Sequence, residues 1–292
     1  MIYTLYFRAT DGEISLKMFQ NYFNNHPHYH VEGPQAFYRH ADTGARFSFV
    51  YLHTDGEGSK NVRPEGTYRI ALNLNYCVPA FFAMEALYEV EKLIDETRVV
   101  LYDSQSGGVG NKAFNGEVMF DCWMTHNEEA LRQLVLSNTL EEKDYPLVPY
   151  DLLQLVWEWN YAKVNMQGIV GDDVQVPVIM ALFDGEYVRT GVMWNDGAPI
   201  AMPNVDFVVV KQKEQDGQTV YGAVAYEAIE GFVKAYAHIE GAAYVLSYDR
   251  VPDDVRAFFA QVTPERKFKR LDMSAILEKD IVEDALNLDG DA

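Results

Sequence analysis

Three Asp-Gly pairs fall within one 34-residue stretch: Asp184-Gly185, Asp196-Gly197 and Asp216-Gly217. Asp-Gly favours the primed two-residue turns whose twist matches that of paired strands. Each pair separates β-like runs, at 176–183, 187–194, 206–213 and 219–224. The spacing predicts an antiparallel meander, and no other feature restricts the folding of the chain so narrowly.

Helical patterns flank the meander. Asp151 is placed to cap a helix reaching about Asn165, with Leu152, Leu155, Val156, Trp159 and Ala162 as its apolar positions. A helix over 225–238, a strand over 243–248 and a helix starting near Pro252 follow.

The N-terminal part alternates between the two periods. Residues 2–7 read as a strand, and Ser15 caps a helix with Leu16, Phe19, Tyr22 and Phe23 on one face. Residues 37–39 and 46–52 read as a hairpin, and 67–75 as a further strand. Pro79 stands at a helix start, and Phe82, Ala86, Val90, Leu93 and Ile94 form one apolar face. A short strand over 99–102 follows. This order is close to a split βαβ, ferredoxin-like arrangement with an extra strand.

Thr125-His126-Asn127-Glu128 has capping-box spacing and opens a helix to about Leu136, whereas 113–123 reads as extended. Pro146 and Pro149 mark a break. The organisation expected is α+β: a ferredoxin-like half at 1–137, a linker at 138–150, a meander with helices at 151–271 and an acidic C-terminal helix at 272–292. In that last segment Ser274 caps, and Leu277, Ile281, Ala285 and Leu288 share a side. The helix, next to the basic run Arg266-Lys267-Phe268-Lys269-Arg270, is either a locally neutralised tail or a docking helix for a partner or for a second copy in a homodimer. Residues 83–92 and 225–234 share Ala, Glu and Lys positions, as a duplication or any two amphipathic helices would.

Charge decides which function classes survive. Lys plus Arg number 24 against 44 Asp plus Glu, a net charge of −20. That argues against general nucleic-acid binding, which rests on cations meeting phosphates, and against an anionic membrane surface. With 48% hydrophobic residues the chain is no disordered acidic tail. The N-terminus lacks a signal-peptide pattern and two cysteines, Cys77 and Cys122, make no disulfide framework, so buried free thiols and a cytoplasmic location are expected.

Several segments carry side chains of catalytic or metal-ligating type. His26, His28 and His30, with His40, His53 or Asp42, have ligand-type side chains, but Pro27 disturbs the extended geometry and no metal site is expected. Asp42-Thr43-Gly44 matches an aspartic-protease tripeptide but occurs once and reads as a turn with Gly44 at positive φ. The run 106–112 lacks the Gly-Lys-Ser/Thr of a phosphate loop, so no nucleotide or other cofactor is expected. Paired carboxylates are numerous, and spacing alone selects no dyad. Trp157 and Trp159, two positions apart, cannot share one helical face. One of them, with Trp194 and Asp196, is therefore the candidate partner-binding set.

The functional expectation is a non-catalytic acidic binding protein, an antagonist of the bacterial immunity type or a regulatory adaptor, for a partner with a basic surface. The rivals are a hydrolase with carboxylates in an aromatic-lined cleft and a self-associating structural component.

Overall fold

Alternation builds the first strand. In β1 (Ile2–Ala9), Tyr3, Leu5 and Phe7 are buried while Ile2, Thr4 and Tyr6 are less so. The computed structural model describes residues 1–53, 68–103, 113–137, 146–195, 197–213, 219–247, 253, 257 and 268–288. They form an α+β fold in two compact units, one of residues 1–150 and 273–292, the other of residues 151–272. In sequence, the second unit is an insertion in the first.

In unit 1, α1 (Leu16–Asn24) begins where expected, with the Ser15 side chain accepting the Met18 N–H. Such a cap stabilises a helix by about 1 kcal/mol. Strands β2 (Tyr29–Glu32), β3 (Gln35–Arg39), β4 (Arg46–Tyr51) and β5 (Ile70–Asn75) lead to α2 (Phe81–Thr97) and β6 (Val99–Asp103). The sheet order is β2-β3-β4-β5-β1-β6, antiparallel throughout. Its β6-β1-β5-β4 part keeps the split βαβ order, and β2 and β3 extend one edge. The segment around His30 is strand β2, paired His30 to Phe37. A turn with His28 at φ 69° turns the chain out of α1 after Pro27, so the strand begins beyond the proline's influence.

The apolar face expected of α2 is buried at Phe82, Ala86, Val90 and Leu93. Its burial extends further, because α3 (Gly116–Leu136) lies on its other side. Helix α3 starts earlier than the capping-box reading. Asn115 caps it, accepting the Val118 N–H. Thr125 sits inside the helix, donating to the Asp121 carbonyl. Asn127, fully buried, donates to the Tyr76 and Val78 carbonyls, holding α3 against the end of β5.

The C-terminal segment belongs to unit 1. After a 3-10 turn at Met273–Ala275, β16 (Leu277–Glu278) runs parallel to β7 (Leu147–Val148), and α6 (Lys279–Leu288) follows. The helix therefore starts at Lys279, not after Ser274. Leu277 and Val282 pack with Leu131 and Val135 of α3. The apolar face expected to dock a partner or a second copy is in part occupied by its own unit. Glu278, 3% exposed, accepts the Ala80 N–H at the start of α2, a helix whose own cap residue supplies no side-chain bond.

In unit 2, α4 (Tyr150–Val170) precedes β8 (Met180–Phe183), β9 (Val188–Trp194), β10 (Ile200–Met202), β11 (Phe207–Lys213), β12 (Thr219–Ala225), α5 (Tyr226–Tyr236), β13 (His238–Glu240), β14 (Ala243–Leu246) and β15 (Lys269–Arg270). Asp184-Gly185 makes the β8–β9 turn. The Asp184 carboxylate accepts the N–H groups of Glu186 and Tyr187, and Gly185 has φ 104°. Strands β11 and β12 pair as a hairpin, with Asp216-Gly217 outside the described residues.

The middle signal does not make a hairpin. After Gly197 the chain enters β10, all of it buried, which pairs with β14 in a second sheet of order β10-β14-β13. It then returns to place β11 parallel to β9 in the sheet β12-β11-β9-β8-β15. The meander is thus interrupted by a crossover through β10. The surroundings of α2 and α5 differ accordingly: α2 leads to an edge strand of a six-stranded sheet, α5 to a three-stranded one. The helix expected near Pro252 and the Gly-rich run at 106–112 lie outside the described residues. Among the described residues, no helix is long and apolar enough to cross a membrane.

Candidate functional site

The tryptophans singled out from the sequence are structural. Trp157 and Trp194 are 5% and 1% exposed, so neither ring is presented to a partner. The Trp194 indole donates to the Ala198 carbonyl at 2.7 Å, fastening the turn after β9. Trp159 is half-buried against Val174, Val176 and Val245, with its N–H given to the Pro177 carbonyl. The buried positions of α4 are Leu153, Val156, Trp157 and Asn160, one step round from the expected face. Asn160 explains the rotation: its side chain makes both bonds of a backbone partner with Ile179, which pins that side inward. Asp196 lies outside the described residues.

The histidines also serve structure. His26 bridges the Tyr22 carbonyl and Glu96, and His28 stacks on His40 at 4.2 Å. His40 Nδ1 accepts the N–H groups of Asp42 and Thr43, forming the turn in which Gly44 has φ 82°. Below it, Tyr38 donates to the buried Glu85 and Tyr29 to Glu89, tying β2 and β3 to α2. Burial, with the Glu89 carboxylate, holds the Tyr29 hydroxyl well above its ordinary range, and burial pushes the His28 imidazole down. No group of three metal-ligating side chains occurs among the described residues. Cys77 and Cys122 are free and half-buried, not fully buried as expected.

Among the described residues, one arrangement with room for a ligand is a polar cleft of about 690 Å³ in unit 2. Three chain segments converge there: Arg189 and Thr190 at the start of β9, 204–207 leading into β11, and 225–230 at the β12–α5 junction. Leu152 and Leu155 of α4 add an apolar wall. Asp206 organises the floor. Its carboxylate accepts the Thr190 N–H at 2.7 Å and hydroxyl at 2.8 Å, its own N–H donates to that hydroxyl, and its carbonyl accepts the Tyr226 N–H. These bonds join β9, β11 and α5 at one end of the sheet.

The charges of the cleft are three carboxylates, Asp206, Glu227 and Glu230, against one guanidinium, Arg189. Glu227 is exposed, Glu230 is paired with Lys234 one turn along, and Arg189 lies over the Tyr187 ring. Tyr226 is buried, with its hydroxyl pushed up to about 12 by desolvation first and by Glu230 next, so it stays protonated at neutral pH. The cleft thus offers acceptors and negative charge beside a short apolar wall, a setting for an ammonium or guanidinium group on an aliphatic stem. The sequence hid it, because its acids fall where Asp and Glu also serve turns and helix starts.

No protein-family model, no curated protein and no solved structure matches this chain.

Proposed function

We propose that this chain is a non-catalytic binding protein for a protein with a basic surface, acting as an antagonist of the immunity type or as a regulatory adaptor. The observation that carries the reading is the unit 2 cleft, where Asp206, Glu227 and the Lys234-paired Glu230 stand with Arg189 beside Leu152 and Leu155. The overall charge of −20 speeds encounter with a cationic partner, and the cleft supplies a place for one of its side chains. Asp206 is held by Thr190 and acts as a fixed acceptor, while Glu227 and Glu230 lie on the rim.

The test is calorimetric titration with a short arginine-rich peptide and with the same peptide carrying citrulline for arginine, which keeps shape and removes charge. Saturable binding of the first that weakens as salt is raised, with none of the second, supports the reading. Equal binding of both, or of neither, refutes it.

A further inference from the structure

Unit 1 holds a recess of its own, formed without any residue of unit 2. It is a pocket of about 280 Å³ between α2 and the start of α3. Its walls are apolar, from Met84, Leu87 and Tyr88 of α2 with Phe114 and Phe120. Two carboxylates, Glu91 and Glu117, complete the lining. We propose that this recess binds a small organic cation, an ammonium group carried on an aromatic body.

The recess follows from the sequence of its two helices. Met84, Leu87, Tyr88 and Glu91 recur at i, i+3, i+4 and i+7, so they form one stripe of α2. Gly116 and Phe120 are one turn apart on α3, which packs against α2. Gly116 leaves the volume open. It has no left-handed φ that would require glycine, and a Cβ added there would meet the Phe114 ring at 3.5 and 3.7 Å, an ordinary contact. A larger side chain therefore has room. The glycine, which costs a helix conformational entropy, leaves that room unfilled.

The chemistry of the occupant follows from the lining. Leu87, 6% exposed, is the deep side of the recess, and Tyr88, 40% exposed, its open side. Aromatic rings beside aliphatic chains favour an apolar body, and ring faces also attract a cation. Glu91 and Glu117 are exposed, so both carboxylates can be reached from solvent. One helical turn beyond them, the exposed Asp95 and Asp121 add charge of the same sign. The lysine and arginine of these helices are Lys92, paired with Glu89, and Arg132, about four turns from Glu117. Negative charge thus stands beside an apolar recess. An aromatic ring seated in it, with its ammonium toward Glu91 and Glu117, matches both features. A neutral body forgoes the carboxylates, and an anionic one is repelled by them.

The probe is 2-phenylethylamine titrated into the full chain by ligand-observed NMR, with 2-phenylethanol as its neutral counterpart of similar shape. Glu91→Gln with Glu117→Gln removes the charge, and Gly116→Leu occupies the recess, each checked for folding by circular dichroism. Asp172→Asn with Asp173→Asn removes equal charge from an exposed site. The wild-type chain should bind the amine saturably, with the alcohol about fivefold weaker. The glutamine pair should weaken amine binding about fivefold, the asparagine pair by less than about twofold, and Gly116→Leu should abolish it. The glutamine pair, at exposed positions, decides the matter where Gly116→Leu does not fold. Absence of saturable amine binding overturns the proposal. So does an alcohol that binds as tightly as the amine, equal weakening by the two charge-removing pairs, or a folded Gly116→Leu chain that binds like the wild-type chain.

Discussion

Asp206 in the cleft and Gly191 in β9 show how single residues fasten the sheet of unit 2. Thr190 is 4% exposed and makes two bonds to the Asp206 carboxylate, so Asp206→Ala leaves a buried N–H and hydroxyl without their acceptor. The expected loss is about 1–3 kcal/mol of stability in urea unfolding, and a loss near zero would mean that the bonds do not fasten β9 to β11. At Gly191 an added Cβ would stand 2.3 Å from Leu182 Cδ1 and 3.3 Å from the Phe207 carbonyl oxygen. Gly191→Ala forces Leu182 aside and is expected to cost about 1–3 kcal/mol, read from the same unfolding curves.

Glu278 gives a pH prediction. Burial raises its carboxyl above the ordinary value of 4.5, and the Ala80 N–H opposes this in part. The folded state then holds the proton more tightly than the unfolded chain. Its contribution is fully present below 4.5 and is lost as pH rises through the folded value. Glu278→Gln keeps an acceptor for Ala80 and removes the titration. The stability of the wild-type chain should therefore fall relative to that variant between pH 4 and 7, roughly, and parallel pH profiles would contradict this.

Elements were legible in proportion to how local their causes are. The Ser15 cap, the Asp184-Gly185 hairpin, the alternation in β1 and the apolar face of α2 depend on neighbours in sequence, and they stand where the sequence puts them. Tertiary partners decided the rest. Strand β2 needs β3 to pair with, β10 needs β14, and the inward side of α4 needs Ile179 to meet Asn160. The first turns of α3 carry Gly116 and two aromatics, a weak helical signal overridden by the Asn115 cap and by packing on α2. Of the candidate site, the sequence yielded only the sign of the charge. The cleft residues lie at positions 152–155, 189–190, 204–207 and 225–230, and only the sheet brings them together.

The C-terminal segment carries a prediction at this scale. Because Leu277 and Val282 cover Leu131 and Val135, ending the chain at Asp272 exposes these residues and removes the Glu278 bond from α2. The expected result is a lower melting temperature with increased binding of a hydrophobic dye. A truncated chain as stable as the full one would show that α6 adds nothing to unit 1.

For the whole molecule the question is whether total charge or its placement matters. Among the described residues, acids already absorbed by structure include Asp184 in its turn, Asp280 on the Tyr150 N–H, and the buried Glu85 and Glu278. Others, such as Asp172 and Asp173, are simply exposed. Placement, on this view, outweighs the sum.

The most direct measurement compares two variants of equal charge. Glu227→Gln with Glu230→Gln alters the cleft, and Asp172→Asn with Asp173→Asn alters an exposed site in the same unit. Binding of the arginine-rich peptide is read by fluorescence anisotropy at about 0.15 M salt, where the Debye length is about 8 Å. The cleft variant should bind about tenfold more weakly, and the exposed-site variant within about twofold of the wild-type chain. Equal weakening in both, or none in the cleft variant, would contradict recognition of a basic partner through this cleft.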